Sequence, residues 1–299
     1  MKSGFVAVVG RPNVGKSTLV NQMVGSKVAI TSSRPQTTRN AIRGVVTGPD
    51  EADPAYQVVL VDTPGLHKPK TELGNRLNAV VYGTLAEADV VLFLIDATMP
   101  IGPGDRLIAQ RLIDASANVV VGINKIDKAS RHETVEQLLG AADWPFEDLY
   151  PVSAKDGDGV PELVEELVSR LPEGPRYYPE GMTTDQPEVL VIAEIVREKF
   201  LDRLHEELPH SLIVRVRDME QRDNGLIDIL GDVVVERSSQ KGIVIGRGGS
   251  LLKTSGTEAR LELETLLGAR VNLDLRVVVE KDWQRRPQLL DRLGFDRET

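Results

Sequence analysis

Short apolar runs punctuate the first half of the chain, at residues 5–9, 56–61, 90–95 and 118–123. Each is too short for a helix and is followed by polar or amphipathic sequence, the pattern of buried parallel strands alternating with helices. The run 90–95 is bracketed by Asp89 and Asp96 and reads as a strand buried on both faces. Residues 161–168 form a closing amphipathic helix, with Pro161 at the favoured first position. The expected architecture of the first part is therefore α/β, a mostly parallel sheet wrapped by helices.

The pattern changes near residue 175. Residues 171–181 carry three prolines or glycines before Tyr177 and Tyr178 and two more after them, which break helix and strand alike. Beyond this linker the periodicity predicts a helix over 189–208, ended near Pro209. A strand over 211–219, a turn at Asp223-Asn224-Gly225 and a strand over 226–236 follow. A short helix around Ser239, a helix over 250–267 and a strand over 271–279 complete the order, with a capping helix over 284–293. The expected division is 1–172, a linker 173–187, and a smaller α+β domain over 188–299.

Chemistry enters where the first strand ends. Gly10-Arg11-Pro12-Asn13-Val14-Gly15-Lys16-Ser17 stands between that strand and a helix opening at Thr18, the setting of a phosphate-binding loop. Its glycines let successive backbone N–H groups face phosphate oxygens, and the helix N-terminus adds its positive dipole end. Lys16 is expected on the β- and γ-phosphates and the Ser17 hydroxyl on magnesium. The bound ligand is thus a nucleoside triphosphate.

The base is read from Asn124-Lys125-Ile126-Asp127, after the run 118–123. The Asp127 carboxylate is acceptor-only and can take the ring N–H and exocyclic amine of guanine together, a pair that adenine lacks. Asn124 braces base and loop, and the Lys125 stem lies across the ring. In Ser153-Ala154-Lys155, a backbone N–H near Ala154 is expected to meet the guanine carbonyl. Between these motifs lies Asp62-Thr63-Pro64-Gly65-Leu66, with Asp62 on magnesium and the Gly65 N–H on the γ-phosphate. In the polar stretch 31–40, Thr38, with Thr37 as the alternative, supplies a hydroxyl that closes on magnesium when the γ-phosphate is present. Lys16, Thr38 and Gly65 are the expected catalytic residues, and Ser17, Thr38 and Asp62 the metal ligands. His67, beside Leu66, reads as a switch residue.

With its motifs in this order, the chain resembles the bacterial Era family of translation-associated GTPases, through Gly10 to Ser17, Thr37-Thr38, Asp62 to Gly65, Asn124 to Asp127 and Ser153 to Lys155. The second half, with Gly246-x-x-Gly249 between two helices, resembles the type II KH domain of that family. In such a domain the loop clamps about four nucleotides of single-stranded RNA. The RNA-binding residues expected here are Lys241, Ile243, Ile245, Gly246, Arg247, Gly248, Gly249 and Lys253, the two isoleucines giving the floor beneath the bases. The resemblance implies a GTP-driven factor that binds the 3′ end of small-subunit ribosomal RNA and assists subunit maturation. It also implies that Asn13 resembles the residue with which related GTPases hold potassium. Leu66 stands where signalling GTPases place a water-orienting Gln, so the usual in-chain hydrolytic mechanism is missing.

Composition narrows the partners. A net charge of −9 over 299 residues excludes a protein that coats nucleic acid with its whole surface. RNA contact must be local, and between Glu236 and Glu258 there is no acidic residue while Arg237, Lys241, Arg247 and Lys253 occur. DNA is not an expected partner. The lack of cysteine fits a cytoplasmic protein, and no run approaches the roughly 18 apolar residues of a membrane span. Peripheral association at the inner membrane face is the furthest extension, and a monomer is expected. Residues 1–4 lead into the first strand rather than a signal-peptide pattern. Tyr177, Tyr178, Trp283 and Phe295 read as packing residues, and Arg285 and Arg286 as phosphate contacts. The rival class is a GTP-dependent docking protein whose C-terminal domain binds a protein or a membrane surface.

Overall fold

The computed structural model describes residues 1–295 other than 33, 35, 36, 67, 68, 70 and 147. The chain divides into two compact units, one running to Asp185 and one from Gln186, apart from short pieces near residues 30 and 71 that group with the second.

The first unit is a six-stranded sheet, in the order β2-β3-β1-β4-β5-β6. Its elements in chain order are β1 (Lys2–Gly10), α1 (Lys16–Val24), β2 (Ile42–Gly48), β3 (Tyr56–Asp62), α2 (Glu72–Glu87) and β4 (Val90–Asp96). Then come α3 (Pro103–Asp114), β5 (Val119–Asn124), α4 (Arg131–Ala141), β6 (Leu149–Val152) and α5 (Val160–Arg170). Only β2 runs antiparallel to its neighbour; the remaining pairs are parallel. Successive side chains of a strand point to opposite faces, and the sequence exploits this. Val6, Val8, Leu92 and Leu94 face one core with α1 and α5, whereas Ala7, Val9, Val91, Phe93 and Ile95 face the other. Both faces are thus buried, which is why these strands read as unbroken apolar runs.

The second unit contains α6 (Glu188–Leu201), α7 (Leu208–Ser211), β7 (Ile213–Gln221), β8 (Ile227–Val235), α8 (Ser238–Ile245), α9 (Ser250–Leu267), β9 (Val271–Val279) and α10 (Pro287–Arg292). Its sheet has the order β7-β8-β9, with β7 antiparallel and β9 parallel to β8. The helix expected over 189–208 ends at Leu201 instead. Phe200, Leu204 and Leu208 keep helical spacing and all reach the core, so the periodicity continues through the break. Glu206, at φ 56°, turns the chain there, and Pro209 falls inside α7. The expected tail helix is likewise split, because Pro287 cannot continue a helix but can begin one. A 3₁₀ turn over Trp283–Arg285 precedes α10. Trp283 is fully buried, donates from Nε1 to the Ser211 carbonyl at 2.9 Å and stacks on Phe295.

The segment read from sequence as a linker lies along the edge of the first sheet up to Asp185. The fully buried Gln57 carboxamide accepts from the N–H groups of Tyr177 and Tyr178 and donates to the Tyr178 carbonyl and the Thr47 hydroxyl. Val45 N–H donates to Thr183 O at 2.8 Å, and Arg43 pairs with Asp185.

Candidate functional site

The phosphate loop, the Asp62 turn and the base-reading loop all follow the carboxyl ends of β1, β3 and β5, where open parallel sheets bind ligands. Gly15 caps α1 at φ 98°, and a Cβ there would lie 2.2 Å from the Asn124 amide. Gly65 passes so close to Pro12 that a Cβ would stand 2.9 Å from its ring. These two glycines let the loops converge.

The Lys16 ammonium is buried and donates to the Gly10 and Arg11 carbonyls at 3.3 and 3.2 Å. Burial pulls its pKa down, opposed by the charge of Asp62. Burial pushes the Asp62 carboxyl up, opposed by Lys16 and by hydrogen bonds from Ser17 and Thr38. Asp62 Oδ2 accepts from Ser17 at 2.6 Å and from Thr38 at 3.1 Å, and the two hydroxyls lie 2.9 Å apart. Asp62 Oδ1 is buried with no hydrogen-bond partner. Three converging hard oxygens beside an orphaned carboxylate oxygen fit a magnesium ion that completes its shell with phosphate and water. Among the described residues no group of three or more His, Cys, Asp or Glu can hold a metal, so a cation here depends on these hydroxyls. Thr37 is buried beside Thr38, whose hydroxyl is the one bonded to Ser17 and Asp62.

Thr63 donates to the Val8 carbonyl at 2.9 Å, tying the Asp62 turn to β1. Pro64 is buried, and Leu66 packs its side chain against the second core of the first unit. An apolar side chain turned to the core cannot orient water. His67 lies outside the described residues. Arg11 is drawn away from the loop by the buried Asp105, at 2.9 Å.

Asn124 joins two loops at once. Its Nδ2 donates to Val14 O at 2.8 Å, and its Oδ1 accepts from Ala154 N–H at 2.9 Å. The N–H of Ala154 itself is thus taken by Asn124, within the stretch where a backbone N–H is expected on the guanine carbonyl. Asp127 is exposed, and the Ser153 hydroxyl donates to its Oδ1 at 3.1 Å, fixing the carboxylate. Lys155 is mostly exposed. Asn13, exposed at φ 63°, and Thr18 complete the loop and its first helical turn.

In the second unit, Gly246 at φ 77°, Gly248 at φ 60° and Gly249 at φ 79° form the bend between α8 and α9. A Cβ at Gly248 or Gly249 would stand in open space, so the backbone is approachable there. Lys241, Arg247 and Lys253 are exposed around it. Beside the bend lies a groove of about 330 Å³ between α9 and β9. Gly249, Leu252, Lys253, Gly256, Thr257 and Arg260 line its helix side, and Leu273, Asp274 and Leu275 its strand side. Ile243 and Ile245 do not form its floor. Ile245 is packed against the core of this unit and Ile243 stands exposed on α8. Leu252, Leu273 and Leu275 are its apolar lining. A glycine inside a helix was the available signal: Gly256 shares a helical face with Gly249, Lys253 and Arg260.

A nucleotide site of this kind on a doubly wound sheet defines a phosphate-loop GTPase, and the second unit has the topology of a type II KH domain. Comparison with known proteins gives the same class. A family model described as a 50S ribosome-binding GTPase matches residues 5–125, and one described as a KH domain matches 207–284. GTPase Era of Mycobacterium bovis is 51% identical over 98% of both chains, and GTPase Era of Mycolicibacterium smegmatis is 50% identical over 98% of this chain and 99% of its own. The crystal structure of an Aquifex aeolicus Era variant bound to GDP·AlF4⁻ superposes with a TM-score of 0.93 at 40% identity, covering 99% of this chain and all of that one. Era in complex with MgGDPNP and nucleotides 1506–1542 of 16S ribosomal RNA matches with a TM-score of 0.93 at 41% identity, over 99% of both chains. The chain belongs to the Era family of GTPases, with a GTPase domain and a C-terminal KH domain.

Proposed function

We propose that this chain binds GTP with magnesium, hydrolyses it, and uses the α9–β9 groove to hold single-stranded RNA at the 3′ end of small-subunit ribosomal RNA during subunit assembly. The observation that carries the nucleotide half is the convergence of Ser17, Thr38 and the orphaned Asp62 oxygen beside Lys16. Ser17, Thr38 and Asp62 hold magnesium, which neutralises phosphate charge as it develops. Lys16 adds a second positive charge at the β- and γ-phosphates, and the loop N–H groups orient them. Asp127 takes the two guanine hydrogens. The Lys155 N–H, next along from the committed Ala154, meets the guanine carbonyl.

Leu66 offers no group to orient the attacking water, so intrinsic turnover is slow. Asn13 is the residue we assign to a potassium ion near the phosphates, supported by its exposure at the loop rim. In the RNA half, Leu252, Leu273 and Leu275 give bases an apolar floor, while Arg247, Lys253 and the open glycine backbone face phosphates. The family's location in the cytoplasm is extended to this chain; among the described residues no helix is long and apolar enough to cross a membrane.

The test uses the full chain and an RNA of the 16S 3′-terminal sequence. Binding should weaken steadily as salt rises, because phosphate contacts release counterions. Arg247→Asp with Gly248→Asp should abolish it and leave intrinsic GTP hydrolysis within about twofold, as neither residue touches the nucleotide loops. RNA affinity unchanged in the double variant would move the site elsewhere and revive the docking-protein reading.

A further inference from the structure

Asp96 ends β4, and its Cα is registered with Asn124, the first residue of the base-reading loop. Its two carboxylate oxygens do different work. Oδ1 accepts from the Thr98 N–H and hydroxyl at 2.9 and 2.6 Å, closing the turn after the strand. Oδ2 accepts from the Lys125 ammonium at 2.5 Å. That ammonium also donates to the Asn13 carbonyl at 2.6 Å. A chain of three residues thus runs from the end of β4 through the base loop to the phosphate loop.

Two features make this more than a surface ion pair. Asp96 is only 6% exposed, so water competes weakly for its oxygens. Burial works to raise its pKa, but the hydrogen bonds from Lys125 and Thr98 outweigh it and hold the carboxylate below its ordinary range. Further, Asn13 at φ 63° and Lys125 at φ 73° both adopt the left-handed backbone without being glycine. Such conformations persist only where surrounding contacts over-determine them. The Lys125 ammonium ties these two strained residues together, and Asp96 sets where that ammonium points.

We infer that Asp96 is a positioning residue for nucleotide retention, acting through Lys125 to lock the base-reading loop against the phosphate loop. It touches neither base nor phosphate. This rests on the guanine-nucleotide reading above. Loss of Asp96 leaves the Lys125 stem free to swing, so the Asn13 carbonyl loses its donor and both loops relax together. Asp127 and the magnesium ligands stay in place. The effect therefore falls on residence of the nucleotide rather than on base choice or on chemistry at saturation.

Asp96→Asn separates positioning from folding. Its amide oxygen still serves Thr98, while its amide nitrogen turns a donor toward the Lys125 ammonium. In the full-length protein with fluorescent GDP and magnesium, Asp96→Asn should release GDP about tenfold faster, the worth of one charge-assisted hydrogen bond. KM for GTP should rise by a similar factor, kcat should stay within about twofold, and preference for GTP over XTP should be unchanged. In a Lys125→Ala background the same substitution should add nothing to the release rate, whereas in a Thr98→Val background it should keep its full effect. Equal GDP release by wild type and Asp96→Asn overturns the inference, as does full additivity with Lys125→Ala. Absence of guanine-nucleotide binding by the wild type would instead overturn the underlying reading of the site.

Discussion

The Ser17 hydroxyl donates to the Asp62 carboxylate at 2.6 Å, joining the phosphate loop to the end of β3 across 45 positions of sequence. Both groups are needed for one cation, and their contact brings the two together. Ser17→Ala should lower GTP affinity in magnesium about tenfold, since a hydrogen bond to a charged group is lost together with a ligand. GDP affinity measured in EDTA should hardly change. An equal loss in both conditions would mean that Ser17 supports the loop rather than the metal.

Asp127→Asn should move base preference from GTP toward XTP. An amide donates to the xanthine carbonyl but cannot accept both guanine hydrogens. GTP affinity should drop roughly 10- to 100-fold while XTP affinity rises, read by competition against fluorescent GDP.

Leu66 is turned into the core, so charge compensation in hydrolysis must come from elsewhere. Turnover should be faster in potassium than in sodium at equal ionic strength, and Asn13→Ala should remove the difference. Identical wild-type rates in the two salts would leave an external activator as the source.

The α9–β9 groove gives a prediction with two signs. Gly256 sits inside a helix, and an added Cβ would meet only Leu275 Cδ1, at an ordinary 3.5 Å. Gly256→Ala should therefore raise stability by up to about 1 kcal/mol. Gly256→Leu fills the groove and should cut RNA affinity at least about tenfold, with GTP hydrolysis unchanged, measured by filter binding. Unaltered RNA binding by that variant would place the bases outside the groove.

Asp232 on β8 is fully buried and is held by Arg215 at 2.7 Å, Arg217 at 2.9 Å and Arg276 at 2.7 Å. Burial alone would raise its pKa, but the hydrogen bonds and charges of Arg276 and Arg215 bring it below the ordinary aspartate range. The unfolded chain then binds more protons near pH 4. The contribution to stability is complete above the unfolded pKa and is lost as pH falls through the lower, folded value. Asp232→Asn should flatten this acid limb below about pH 4 in thermal unfolding. A limb as steep as wild type would assign acid sensitivity to other carboxylates.

Sequence alone reached the alternation of strands and helices in the first unit because those strands are buried on both faces and leave unbroken apolar runs. The helix over 250–267 and the strand over 271–279 were legible for a different reason, since Gly249 and Gly268 cap the helix with left-handed backbone. The break after Leu201 was hidden because Phe200, Leu204 and Leu208 keep helical spacing across it. The nucleotide loops were readable as motifs, whereas the commitment of Ala154 N–H to Asn124 depends on how two loops meet in space. The α9–β9 groove was not legible for a similar reason. Leu273 and Leu275 alternate like any half-buried strand, and only the approach of α9 turns them into a binding surface.

Gln57 illustrates what that spatial closure means for dissecting the molecule. All four hydrogen-bonding positions of its amide are filled, three of them by Tyr177 and Tyr178, about 120 residues further on. A fragment ending at α5, where composition alone would cut, strips those partners and uncovers a polar group inside the sheet. It also bares the β2 edge at Val45, an open template for strands of other molecules. The working boundary of the catalytic half is therefore Asp185, and the stretch that looks like a tether is its last structural layer.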